Sequence, residues 1–125
     1  MPKAKPNDVI TPAPTLGQKQ RVFAFLVSSL IVKVYEFGYE CTLGEAYRTP
    51  EQAALNEKEG KGISNSLHTQ RLAIDLNLFK DGVFLSGTED HRQLGEWWEA
   101  KHELCRWGGK WGDGNHYSFE HEGRR

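Results

Sequence analysis

The stretch RLAIDLNLFKDGVFL, residues 71–85, leaves the chain little choice of local structure. Leu72, Ile74, Leu76 and Leu78 alternate with Ala73, Asp75, Asn77 and Phe79, a period of two that an extended strand converts into two faces. Lys80, Asp81 and Gly82 then supply a turn, and Val83 to Leu85 a second short strand. The segment therefore predicts an antiparallel sheet. It also raises a chemical question. Asp75 stands in mid-strand, and a carboxylate taken out of water without a partner is costly. Either its face is exposed or something binds it.

The elements around this hairpin follow from period and punctuation. Val22, Phe25, Leu26, Ser29, Leu30, Val34 and Phe37 recur at helical spacing, with Thr15 as cap and Gly38 as stop, so residues 16–37 read as a long helix, mostly buried. YECTLGEAYR reads as a strand, and TPEQAALNEKEG as a short helix capped by Thr49, with Pro50 in its first turn and Gly60 as terminator. Residues 60–70, GKGISNSLHTQ, have no period and read as a loop. Residues 89–104 form a further amphipathic helix, and the tail WGGKWGDGNHYSFEH is glycine-rich and then extended. The sum is an α+β domain, a small mainly antiparallel sheet with helices packed against it. Residues 1–15, proline-rich, form an extended lead-in, and residues 16–125 a single domain.

Composition removes several classes of function. A net charge of −1 gives no footprint for nucleic acid and no polybasic membrane anchor. The uncharged apolar run from Val22 to Val32 is too short to span a bilayer, and the lead-in has no apolar core of a secretory signal. Cys41 and Cys105 are neither a disulfide framework nor a thiolate metal motif, and read as two buried reduced thiols.

The chemistry gathers around Asp75. His68 lies in the loop that precedes the strand, so an imidazole and a carboxylate can reach one point. A second histidine, His116, follows Asp113 by three positions in the glycine-rich turn before the last extended segment. Two imidazoles and a carboxylate are the donor set of a catalytic zinc site, which keeps its fourth position for water. The ion lowers the pKa of that water, and a nearby carboxylate, here Asp113, takes its proton. At this end His121 competes with His116 as ligand, and Glu120 with Asp113 as base. Strand alternation puts His116, Ser118 and Glu120 on one side and Tyr117, Phe119 and His121 on the other. The aromatic side faces the core, which favours His116 and leaves His121 a structural role or one beside the metal's ligands. His91 and His102, on a helix rich in charge, read as surface residues, and the two tryptophans of WGGKW read as core, with a cleft wall as the other possibility.

SLHTQRLAIDL followed by DGNH resembles the zinc peptidases of the D-alanyl-D-alanine carboxypeptidase and L-alanyl-D-glutamate endopeptidase family, which act on bacterial cell walls and include small phage endolysins. The family pattern is Ser-x-His-x6-Asp, then an acidic residue three positions before the last His. Ser66, His68, Asp75, Asp113 and His116 match it, and Arg48 in AYRTPEQ matches the family's arginine. The resemblance covers roughly residues 16–121. It implies one Zn2+ on His68, Asp75 and His116, Asp113 as general base, and Arg48 on a substrate carboxylate or the oxyanion. Ser66, Arg71 and His121 are placed beside the metal or substrate. Relatives often carry glycine where this chain has Arg71, and a long side chain there would narrow the cleft or meet an acidic substrate. The implied substrate is the peptidoglycan stem peptide, cut by a monomer that is made in a host cytoplasm and reaches the wall after release. An L-alanyl–D-glutamate endopeptidase is the first expectation, a D-alanyl-D-alanine carboxypeptidase the second, and a non-catalytic zinc-stabilised wall-binding module the reading from another class.

Overall fold

The computed structural model describes residues 13–63 and 65–125, so most of the proline-rich lead-in lies outside the described residues. Helix α1 spans Leu16–Glu36. Its start is fixed by a reciprocal cap: the Gln18 backbone N–H donates to Thr15 Oγ1 at 3.1 Å, and the Thr15 N–H donates to Gln18 Oε1 at 2.8 Å. A cap of this kind is worth about 1 kcal/mol. Past its end Gly38 takes φ 89°, the left-handed conformation that glycine reaches without strain. Phe23, Leu26, Leu30 and Val34 form its buried stripe, whereas Val22, Phe25, Val32 and Tyr35 stay exposed. The expectation of a mostly buried helix is thus corrected. A helix lying on one face of a sheet buries only the stripe it presents to that sheet.

Strand β1 (Glu40–Leu43), helix α2 (Pro50–Lys58), strand β2 (Ala73–Lys80) and strand β3 (Val83–Leu85) follow in order. Helix α3 (Arg92–Lys101), strand β4 (Cys105–Trp107) and strand β5 (His116–Phe119) complete the domain. Every strand pair is antiparallel, in the order β1-β2-β5-β4 with β3 also on β2. This is the α+β architecture expected. Eight-residue β2 is the hub: β1 lies along Leu76–Phe79, β3 along Leu78–Lys80, and β5 along Ala73–Asp75. The β2–β3 turn is Asp81-Gly82, both at positive φ (51° and 76°), the conformation that matches the twist of a two-residue hairpin.

The core lies between the sheet and helices α1 and α3. Trp98 is fully buried and edge-on to Phe23 and Tyr117, and its indole N–H donates to the carbonyls of Arg106 and Ser118, both at 3.1 Å. That ties α3 to β4 and β5 at once. Both cysteines are free; Cys105 is buried, which pushes its thiol up to about 12, and Cys41 is half-buried.

Three further expectations are corrected. The β1 strand stops at Leu43, because Gly44 to Arg48 leave the sheet for irregular bonds described below. The helix expected over 89–104 begins as a 3-10 turn, Thr88–His91, and ends at Lys101, since His102 is extended (φ −158°) with its Nδ1 accepting from the Leu104 N–H. His91 is not a surface residue: it is 3% exposed, 2.8 Å through Nδ1 from the Tyr117 hydroxyl. His102 is half-buried over the Phe119 ring, 4.7 Å between centroids.

Candidate metal centre

The β2–β5 register puts Asp75 directly opposite His116. Cross-strand partners project from the same face, so these two side chains are neighbours before any loop is considered. Their strand neighbours Ile74 and Tyr117 are also opposed and point the other way, into the core. His68 arrives from a 3-10 turn, Leu67–Gln70, immediately before β2. Ser66 Oγ caps that turn by accepting from the His68 N–H at 3.2 Å, and buried Leu67 pins it to the core. Arg71 then reverses the chain at φ 56°, and the Leu72 N–H closes onto the Leu67 carbonyl at 3.1 Å. A left-handed position such as this favours glycine, so Arg71 holds a conformation that glycine would adopt without strain.

The three donors converge. His68 Nε2 lies 3.3 Å and His116 Nδ1 3.7 Å from the same oxygen, Oδ1 of Asp75, and all three candidate ligand atoms fall within 4.8 Å of one another. Ligands at about 2.0–2.1 Å from a tetrahedral zinc stand roughly 3.4 Å apart, so the Asp75 separations are those of such a set. Both imidazoles are buried, and each has its outer nitrogen, His68 Nδ1 and His116 Nε2, without a hydrogen-bond partner among the described residues. A ring that gives one nitrogen to a metal carries its proton on the other. Burial raises the Asp75 carboxyl, but the hydrogen bonds and charges of His116 and His68 outweigh it and hold the group at about 2. The anion that a cation requires is therefore the resident form at neutral pH. The residues fit a zinc ion.

The three ligands open onto a cleft of about 240 Å3 lined also by Arg48, Lys61, Ser66, Trp111, Asp113 and Arg125. Asp113 is half-exposed, its Oδ2 3.9 Å from His116 Nδ1, at the edge of the ligand set. Its position is set by the turn: the Asp113 N–H donates to the Gly108 carbonyl at 2.8 Å, and the His116 N–H to the Asp113 carbonyl at 3.1 Å. Arg48 also lines the cleft, its Nε donating to Glu45 Oε1 at 2.8 Å and its Nη2 to the same oxygen. Trp111 walls the cleft with its ring 5.6 Å from that of His116, and Arg125 stacks over Trp111 at 4.2 Å. Trp107, by contrast, is core. The WGGKW segment divides between the two roles.

Other sequence candidates lie elsewhere. Arg71 stacks on Tyr47 at 4.0 Å and lines an apolar hollow with Phe23 and Val27, away from the cleft, so it neither narrows the cleft nor reaches into it. His121 faces Lys19 Nζ at 3.2 Å and Glu122 at 3.2 Å and stands outside the donor cluster. Glu120 pairs with Arg106 at 3.0 Å. The residue that sequence reasoning passed over is Glu45, whose Oε1 also lies 3.7 Å from His68 Nδ1. Its signal was weak, a lone Glu three positions before Arg48.

Residues 59–119 match the sequence model of a family described as D-alanyl-D-alanine carboxypeptidase. The chain is similar to that peptidase family over just under half of its length, a span that holds all three candidate ligands. It is a zinc metallopeptidase, with His68, Asp75 and His116 as the candidate ligands. No curated protein sequence matches it. Among solved structures it is similar to an L-Ala D-Glu endopeptidase, ChiX, of Serratia marcescens, at 19% identity and a TM-score of 0.64, over 78% of this chain and 79% of that one. It is also similar to a mutant of the vancomycin-resistance D,D-pentapeptidase VanY in complex with Zn(II), at 18% identity and a TM-score of 0.52, over 78% of this chain and 70% of that one. At such identities the likeness is one of fold. Among the described residues no helix is long and apolar enough to cross a membrane.

Proposed function

We propose that this metallopeptidase hydrolyses a peptide bond in the stem of bacterial peptidoglycan, as an L-alanyl–D-glutamate endopeptidase acting in the manner of a phage endolysin. One observation carries the reading: two imidazoles and a carboxylate meet in a cleft that is lined also by a second carboxylate and three cationic side chains. Stem peptides are short and carry free carboxylates, which is what Arg48, Lys61 and Arg125 are suited to receive.

Zinc, when bound, polarises the scissile carbonyl and lowers the pKa of the attacking water. Asp113 accepts the proton of that water at its carboxylate and delivers it to the leaving amine. Arg48, with Nε and Nη2 held by Glu45, keeps Nη1 beside Gly62 on the cleft wall, where it orients a substrate carboxylate or steadies the oxyanion. The indole of Trp111 shields the His116 side from water.

A second reading, removal of the terminal D-alanine, is favoured by the description of the matched family. Digestion of purified sacculi, with product masses read with and without chelator, separates the two. A new amino terminus on D-glutamate supports the endopeptidase, and release of single D-alanine supports the carboxypeptidase. Sacculi left intact at every zinc concentration would remove both. In the endolysin reading the protein is made in a host cytoplasm, meets the wall after release and works as a monomer.

A further inference from the structure

Glu45 stands between two groups that the proposed reaction uses separately. One of its carboxylate oxygens, Oε1, receives Arg48 through Nε and Nη2 and lies 3.7 Å from His68 Nδ1. We infer that Glu45 is the positioning residue of the centre: it accepts the Nδ1–H of His68, so fixing the tautomer that presents Nε2 to the metal, and anchors the Arg48 guanidinium with the same oxygen. The inference rests on the reading of His68 as a ligand and Arg48 as a substrate contact.

The chain is built to hold this carboxylate still. Beyond β1 the segment Gly44–Arg48 is laced to the ligand-bearing backbone by three hydrogen bonds. The Gly44 N–H donates to the Asp75 carbonyl at 2.8 Å, the Asp75 N–H to the Glu45 carbonyl at 2.9 Å, and the Arg48 N–H to the His68 carbonyl at 3.1 Å. A Cβ on Gly44 would stand 2.8 Å from the Asp75 carbonyl oxygen, so only glycine lets the strand pass this close. Two of the three ligands thus share backbone bonds with the segment that carries Glu45.

The chemistry of His68 asks for such a partner. The ring is 3% exposed, its Nε2 faces Asp75 Oδ1 at 3.3 Å, and its buried Nδ1 has no hydrogen-bond partner among the described residues. A ligating imidazole with its other N–H on a carboxylate is a more basic and better oriented ligand, and removing such a partner typically costs 10–100-fold in metal affinity. Glu45 Oε1 closes that gap by a shift of under about 1 Å, to the usual N–H···O separation. The competing account is a plain i,i+3 ion pair between Glu45 and Arg48, which contributes about 0–1 kcal/mol and leaves the metal untouched.

The two accounts separate in zinc affinity, measured by chelator competition on the full chain without reference to turnover. E45Q keeps the volume of the side chain and E45A removes it, while R48A removes the other partner of the pair. The expected result is a loss of about 10–100-fold in zinc affinity for both Glu45 variants, with the melting temperature of the metal-free protein unchanged, and near wild-type zinc affinity for R48A. On a stem peptide, the Glu45 variants at saturating zinc also show a raised KM, because Arg48 has lost its anchor. Wild-type zinc affinity in E45A overturns the inference, as does an equal loss in R48A. A wild-type protein that binds zinc and cuts no stem peptide refutes the proposed function and leaves the Glu45 test standing. One that binds no zinc removes both.

Discussion

Replacing Asp113 by Asn separates catalysis from metal binding. The two side chains have the same shape, and Asp113 is half-exposed with its nearer oxygen 3.9 Å from His116 Nδ1, outside the three-donor set. The backbone bonds that shape the turn, Asp113 N–H to Gly108 and His116 N–H to Asp113, involve no side-chain atom. Stability should therefore change by no more than about 0.5 kcal/mol, the range of an exposed substitution. An amide accepts no proton at neutral pH, so the base is lost outright. General-base catalysis is worth about 10²–10⁴ in rate, or about 3–5 kcal/mol on the barrier at 1.36 kcal/mol per tenfold. The assay is the initial rate of stem-peptide cleavage by mass spectrometry, alongside bound zinc by elemental analysis and melting by circular dichroism. The expected outcome is full zinc, an unchanged fold and a rate reduced at least about 100-fold. Turnover within about threefold of wild type, with zinc in place, would refute the role assigned to Asp113. Loss of zinc would show that the carboxylate is a ligand instead.

Two other outcomes follow from the same coordinates. Asp75→Ala should lower zinc content and activity together, since it removes the oxygen that both imidazoles face; equal zinc in the purified variant contradicts the ligand assignment. His91 is pulled below its ordinary value of 6.5, by burial first and against the nearby Asp90 charge. The unfolded chain therefore binds the proton more readily than the folded one, and stability present above pH 6.5 drains away as the pH falls from there towards the lower folded value. Denaturant midpoints between pH 7.5 and 5 should fall in the wild type and flatten in His91→Asn, and parallel curves would contradict the assignment.

How much of this was legible in the sequence depends on the range over which each signal acts. The caps at Thr15 and Thr49, the Asp81-Gly82 turn and the alternation of β2 are local, and they stand where the sequence placed them. His68, Asp75 and His116 were named together; the β2–β5 register brings Asp75 opposite His116, and the turn before β2 adds His68 to the same cluster. Glu45 and Arg125 carried no comparable signal, because Glu45 reaches His68, and Arg125 the cleft, through tertiary packing and not through spacing. His91 was misread for the same reason. Its helix is rich in charge, yet the one turn that carries it lies beneath Tyr117. Arg71 was given a chemical role when its place is explained by conformation, a left-handed residue that turns the chain into β2.

Asp75 and His116 occupy one rung of the β2–β5 ladder. A slip of a single residue between those strands would carry one of the pair to the opposite surface of the sheet and expose aromatic side chains to water. No ion could then draw both donors together. Binding of the metal consequently favours the aligned register, because only molecules whose two central strands are in step present both donors to it.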